Sequence, residues 1–118
     1  MPILQIDDIE KEQFDTGRTY QTLVGDEAGS TPLRIGIQTS PPGYSTGTHW
    51  HPYMEIVTVI EGTGEAWQGD ETSPVAIGPG STLVSPANVP HGFRNTGTTP
   101  MRSYGVHASP KRITHRDS

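Results

Sequence analysis

The chain of 118 residues contains no cysteine. Disulfide frameworks, zinc sites with thiolate ligands, iron–sulfur clusters and cysteine nucleophiles are therefore excluded. Any metal ion bound to this chain must be held by imidazole nitrogens and carboxylate oxygens.

Long apolar segments are also absent. No run approaches the roughly 18 residues that a membrane-spanning helix requires, and the N-terminal residues show neither the basic nor the apolar segment of a signal peptide. The chain has 8 basic and 13 acidic residues, whereas nucleic-acid binding normally requires a basic surface. We therefore expect a cytoplasmic protein that binds neither a membrane nor a nucleic acid.

What the chain does have is short apolar runs separated by 14 glycines and 11 prolines. Its length fits a single domain over residues 1–118. The pattern predicts strands at 20–24, 33–38, 48–61, 65–68, 75–77, 82–84, 91–94 and 101–107, typical of an all-β sandwich or barrel.

We expect the barrel core at about 20–108, with an N-terminal arm over residues 1–19 and a C-terminal tail over residues 109–118. The arm includes one predicted helical turn near residues 9–12. Half of the basic residues lie in the last 17 positions, and this basic end is interpreted as solvated. The segment 110–115 is either a strap or a frayed end.

A His-x-His pair, His49 and His51, is followed by Glu55. If the segment is extended, these three side chains point to the same side of the strand, together with Val57 and Val59. Two imidazoles and a carboxylate that converge in a cavity suit a divalent transition metal.

A further histidine, His91, follows the proline-rich segment 86–90. The prolines restrict the backbone angles just before it, which helps to aim the imidazole ring. Taken alone, such a histidine is more often structural than functional.

Two spaced motifs resemble those of the cupin superfamily. The first consists of glycine, five residues, His-x-His, three residues, glutamate, six residues and glycine, and is met by Gly43, His49, His51, Glu55 and Gly62. The second consists of glycine, five residues, Pro-x-Gly, two residues, histidine, three residues and asparagine, and is met by Gly80, Pro86, His91 and Asn95. Asn88 replaces the second glycine, and asparagine is the residue that best tolerates a left-handed turn in its place.

The resemblance implies a jelly-roll barrel, the double-stranded β-helix, in which His49, His51, Glu55 and His91 bind one ion of Fe, Mn, Ni, Cu or Zn. Three nitrogens and one oxygen leave up to two positions for water, dioxygen or substrate. Glu55 either remains a ligand or accepts a proton from the substrate as a catalytic residue. Because the ligands are neutral imidazoles, the metal should be lost as the pH falls.

Further candidates for the pocket are Gln38, Tyr53, Phe93 and Tyr104. Tyr104 and His107 are three residues apart on the last predicted strand, so they cannot both face inward. Trp50 has the opposite parity from the metal ligands, and an outward tryptophan on a small barrel indicates a subunit interface. We expect a homodimer, because pairing also covers edge strands.

The resemblance to cupins favours an enzyme, either a dioxygenase or a carbonyl-activating lyase or decarboxylase, acting on a small polar or aromatic molecule. Two alternatives remain open at this point. One is a module that binds or senses a small ligand or sugar without turnover, and the other is an isomerase of the sugar-modifying cupin type.

Overall fold

The computed structural model describes residues 3–116, and its regular structure is almost wholly β-strand. A short 3₁₀ turn, Ile6–Asp8, precedes the strands. They are β1 (Glu12–Gln13), β2 (Thr19–Val24), β3 (Arg34–Ser40), β4 (Glu55–Glu61), β5 (Gly64–Gln68), β6 (Val75–Ile77), β7 (Thr82–Ser85), β8 (His91–Asn95) and β9 (Met101–His107). Within the described range, no helix has the length and apolarity needed to cross a bilayer.

The strands form two antiparallel sheets. The larger has the order β1-β2-β3-β9-β4-β7 and the smaller the order β6-β5-β8. Val59 and Met101 of the larger sheet share a core cluster with Ala66 and Phe93 of the smaller one, so the apolar faces of the two sheets pack against each other. The predicted all-β class is confirmed.

The segment 48–61 differs from the continuous strand that the sequence predicts. Only Glu55–Glu61 is strand, because the preceding residues pair elsewhere. His49 exchanges two backbone hydrogen bonds with His91 of the smaller sheet, at 2.9 and 2.8 Å, and Pro52 has no N–H with which to continue a ladder. The His-x-His segment therefore crosses between the sheets.

The predicted helical turn at 9–12 is also displaced toward the N-terminus. The side-chain amide of Gln21 donates hydrogen bonds to the carbonyl oxygens of Ile6 (2.8 Å) and Ile9 (3.0 Å), which fixes the turn at Ile6–Asp8. Glu12 then begins β1 opposite Tyr20. Pairing with β2 thus overrides the local helical preference of the arm.

Turns in both motifs adopt left-handed backbone. Asn88 has φ 66°, and its N–H donates to the carbonyl of His51 at 2.7 Å, so the interpretation of asparagine in place of glycine is confirmed. Gly62 has φ +89°, and a Cβ there would lie 2.8 Å from the Cα of Met101. This turn therefore requires glycine.

The C-terminal tail is a strap that returns to the barrel. Trp50 and His115 exchange two backbone hydrogen bonds of 2.9 Å, and their rings stack with centroids 4.3 Å apart. Trp50 is half-buried under this contact. Trp50 lies outside the ligand cavity, as its parity predicts, and packs against the tail of the same chain. Its place in a subunit interface stays a prediction.

Candidate metal centre

Four ligand atoms, one each from His49, His51, Glu55 and His91, lie within 4.8 Å of one another. Glu55 begins β4 and His91 begins β8, while the two other histidines lie on the crossing segment between the sheets. The backbone pairing of His49 with His91 is therefore what brings the two motifs together.

The orientation of the three imidazole rings is fixed by hydrogen bonds to backbone carbonyls. Nδ1 of His49 lies 3.1 Å from the oxygen of Gly47, that of His51 lies 2.8 Å from Ile113, and that of His91 lies 2.9 Å from Val89. Because a carbonyl oxygen only accepts, each Nδ1 carries the proton. Each Nε2 is then left with a lone pair, the arrangement found in metal-binding histidines.

Glu55 lies at the centre of the cluster. Its Oε1 is 3.1 Å from Nε2 of His91 and 3.6 Å from Nε2 of His51. The His51 nitrogen is buried, and nothing among residues 3–116 hydrogen-bonds to it. A buried lone pair without a donor, beside two further imidazole nitrogens and a carboxylate, fits a divalent transition metal.

Burial and hydrogen bonding set the protonation of the cluster. Burial would raise the pKa of Glu55, but the adjacent imidazole rings of His107, His51 and His91 hold that pKa well below its usual value. Burial lowers the pKa of His49 to about 4. For His91, burial acts in the same direction, but the hydrogen bonds to Glu55 and to the Val89 carbonyl raise its pKa overall. Glu55 is thus ionised at neutral pH, and of the ligand histidines with a shifted pKa His91 is the one that a proton occupies first as the pH falls.

His107 joins the cluster although the sequence left its orientation open. It lies directly opposite Glu55 in the register of β9 with β4, and its Nε2 is 2.9 Å from Oε2 of Glu55. Its Nδ1 is 2.8 Å from the hydroxyl of Tyr53. A consistent set of donors has Tyr53 donating to His107 and His107 donating to Glu55. Strand register, which residue spacing alone does not provide, was the missing signal.

A cavity of about 70 Å³ opens onto the cluster. Gln38 and Phe93 line it, whereas Tyr53 lies behind the ligands, with its ring stacked on His51 at 5.0 Å. The prediction that Tyr104 lines the pocket is wrong. Ser103 and His107 take the inner face of β9, so Tyr104 lies on the outer face with 36% of its surface exposed.

Three arginines also line this cavity: Arg18, Arg112 and Arg116. The last two belong to the tail that was interpreted as a solvated basic end. That interpretation is wrong for Arg112, which is half-buried, whereas Arg116 lines the cavity and is also exposed. The tail returns to the mouth of the barrel because His51 and Trp50 bond its backbone. No sequence motif connects Arg18 with residues near the other end of the chain.

The fold and the site define a class of protein. The family model described as Cupin domain matches residues 36–107, which span both motifs and all four candidate ligands. The chain belongs to the cupin family. The jelly-roll fold expected from the resemblance is therefore confirmed.

Particular relatives add detail. The chain is 34% identical over 101 residues to Protein SchB of Streptomyces halstedii, and the match covers 85% of this chain and 72% of that protein. It is similar in fold to the polyketide cyclase RemF from Streptomyces resistomycificus, with a TM-score of 0.85 at 21% identity, covering 100% of this chain and 86% of the cyclase. A predicted oxalate decarboxylase from Thermotoga maritima has a TM-score of 0.80 at 23% identity, covering 90% of this chain and 97% of its own.

Proposed function

We propose that this protein is a metal-dependent enzyme that activates a carbonyl group of a small keto compound and removes a proton from the adjacent carbon. The observation that carries the proposal is the position of Glu55. One of its oxygens faces the nitrogens of His91 and His51, and the other accepts a hydrogen bond from His107. An ionised carboxylate is thereby held where a metal-bound substrate would meet it.

The roles of the side chains follow from these contacts. His49, His51 and His91, with Glu55, would hold the ion, which when bound acts as a Lewis acid toward a carbonyl oxygen. Glu55 accepts the proton from the α-carbon, and the electron pair of that C–H bond moves to the carbonyl oxygen. The hydrogen bond from His107 keeps the carboxylate oriented. The buried residues that line the cavity limit the access of water that would compete for the proton.

The enolate that results can form or break a carbon–carbon bond. Cyclisation of a polyketide, the activity named for the structural neighbour from Streptomyces resistomycificus, forms such a bond beside a carbonyl carbon. The chain of hydrogen bonds from Tyr53 through His107 to Glu55 orients the carboxylate and so supports proton transfer from the substrate to Glu55. These observations favour carbonyl activation over the dioxygenase that the sequence also allowed.

The test is exchange of α-hydrogen for deuterium. We expect the metal-loaded protein in deuterium oxide to accelerate exchange in 4-oxopentanoate, followed by proton NMR, without oxygen uptake at an electrode. Glu55→Gln keeps an oxygen donor but not the base, so exchange per bound ion should fall about 10²- to 10³-fold. Metal content measured on the same samples separates loss of the base from loss of the ion.

Three outcomes would contradict the proposal. Exchange per bound ion that is unchanged in Glu55→Gln would remove Glu55 from the reaction. Turnover that consumes oxygen would indicate a dioxygenase. Tight binding of keto compounds, with no exchange in the wild type for any of them, would indicate the non-catalytic binding module instead.

We also propose a homodimer, formed through the outer face of the larger sheet. Ile60, Val84 and Tyr104 are 41%, 49% and 36% exposed there, and an exposed apolar sheet face favours association with a second copy. Light scattering should give twice the chain mass at micromolar concentration, and Val84→Lys should shift it toward the monomer. A wild-type monomer would contradict the proposal.

A further inference from the structure

The six arginines of this chain fall into two groups. Arg34, Arg94 and Arg102 each have a carboxylate oxygen within 4.0 Å. Within residues 3–116, no carboxylate lies that close to any of the other three: Arg18, Arg112 and Arg116. Acidic residues outnumber basic ones by 13 to 8, so the missing partners do not reflect a shortage of carboxylates.

All three arginines of this second group line the cavity that contains the metal cluster. The ring of Phe14 supports two of them, with the guanidinium carbon of Arg18 at 3.9 Å and that of Arg112 at 5.9 Å from its centroid. Arg112 also lies 4.5 Å from the ring centroid of Tyr20. Stacking on a ring holds the planar guanidinium in place while leaving its N–H edge available.

Two of these guanidinium groups have unused donors. Within the described part of the chain, Nε of Arg18 and Nη2 of Arg112 are buried and have no hydrogen-bond partner. Arg116 is tied to the barrel through a hydrogen bond from Nη1 to the carbonyl of Thr46. A buried charged donor without an acceptor is costly, and like charges close together add to that cost.

We propose that Arg18, Arg112 and Arg116 bind the carboxylate of the substrate at the mouth of the cavity, so that the substrate is a keto acid whose carbonyl end reaches the metal cluster. Only one part of this inference rests on the proposed function, namely that the carbonyl end of the substrate reaches the metal cluster. Binding of a carboxylate by the three arginines does not depend on that function.

The chemistry of the site favours a carboxylate. A guanidinium presents two parallel N–H donors whose spacing matches a planar carboxylate. Burial lowers the pKa of Arg18, and the charges of Arg112 and Arg116 lower it further, so an anion among the three would relieve both the mutual repulsion and the unused donors. The only carboxylate that lines the cavity within residues 3–116 is Glu55, which the histidines already engage.

The experiment compares keto acids with neutral ketones of equal length. Calorimetry on the full-length protein as purified would measure the affinity for 4-oxopentanoate and 5-oxohexanoate against pentan-2-one and hexan-2-one. Each measurement is repeated in Arg112→Gln and Arg116→Gln and in the control Arg102→Gln, whose arginine pairs with Glu61 outside the cavity. Arg116 is exposed, so its variant should fold even where the loss of Arg112 weakens packing.

We expect keto acids to bind the wild type at least about tenfold more tightly than ketones, and each cavity variant to lose about tenfold for the acids alone. Arg102→Gln should match the wild type, and metal content should stay constant in all variants. Repeating the titrations after removal of the metal by a chelator shows whether the cavity variants still lose affinity for keto acids without the ion. If it persists while exchange of α-hydrogen is absent, the carboxylate site stands and the proposed function falls.

Equal affinities for acids and ketones in the wild type, or equal affinities for acids in wild type and both cavity variants, would overturn the inference. Methyl phosphate binding more tightly than 4-oxopentanoate would overturn the choice of a carboxylate. An arginine effect as large for neutral ketones as for acids would show a packing role for these side chains rather than recognition of an anion.

Discussion

The metal cluster and the arginine-lined mouth of the same cavity come from different parts of the chain. The four candidate ligands all lie within residues 36–107, the part that matches the family model. The three arginines at positions 18, 112 and 116 all lie outside it, on the arm side of β2 and on the C-terminal strap.

The metal cluster and the mouth of the cavity are held in place by different parts of the structure. The cluster is held by strands and by backbone carbonyls, and of the three carbonyls that orient its histidines only that of Ile113 lies outside residues 36–107. The mouth is formed by segments that pack onto the barrel from outside, such as the strap bonded to Trp50 and His51. We infer that the barrel determines the class of chemistry and that the added segments determine which molecule reaches it.

Removing one imidazole from the cluster should have the largest effect. We expect His51→Ala to lose most of its bound metal while the fold persists, because one of only four ligands is gone and Glu55 cannot replace it. Elemental analysis gives the stoichiometry, and circular dichroism checks the fold. His115→Ala is the matched control, since His115 stacks on Trp50 outside the cluster. Unchanged stoichiometry in His51→Ala would remove this residue from the metal site.

His107 provides a sharper test, because it contacts Glu55 without belonging to the family's motifs. His107→Phe should retain the ion but lower exchange of α-hydrogen roughly tenfold or more. Without the His107 hydrogen bond the pKa of Glu55 should rise, so the acid limb of the pH profile should move to higher pH. His107→Gln, which keeps a donor, should recover part of both effects. A variant with the wild-type pH profile would show that His107 does not position the base.

Acidification should release the metal over a defined range of pH. Since the pKa of His91 is raised above its ordinary value, a proton competes with the ion there as the pH falls. The pKa values of Glu55 and His49 are lowered, so neither group competes until the solution is more acid. We expect affinity to weaken about tenfold or more between about pH 7.5 and about pH 5.5. A titration with constant affinity across this range would contradict the assignment.

Most of the strands and all four candidate metal ligands could be predicted from the sequence. The features that could not be predicted have a common cause. The turn residues and alternating runs placed seven of the strands within two residues, and motif spacing identified His49, His51, Glu55 and His91. The prediction that the strand includes residues 48–54 was wrong because His49 pairs with His91 in the smaller sheet. His107 and the tail arginines depend on register and on long-range packing, which spacing along one chain does not encode.

The smallest predicted effect lies at a turn of the barrel. Asn88→Gly should leave the free energy of unfolding within about 0.5 kcal/mol of the wild type, whereas Asn88→Ala should lower it by about 1 kcal/mol, because φ is 66° there. Denaturant unfolding measures both values. Metal stoichiometry should not change in either variant. A destabilised glycine variant would mean that the side chain of Asn88, and not its backbone conformation, is what the turn requires.

The central claim is that four side chains from two distant segments bind one ion. Anomalous diffraction from crystals of the metal-loaded protein tests it most directly. We expect a single peak about 2.0–2.3 Å from Nε2 of His49, His51 and His91 and from one oxygen of Glu55. A peak elsewhere on the chain, or one from which His91 is turned away, would contradict the account.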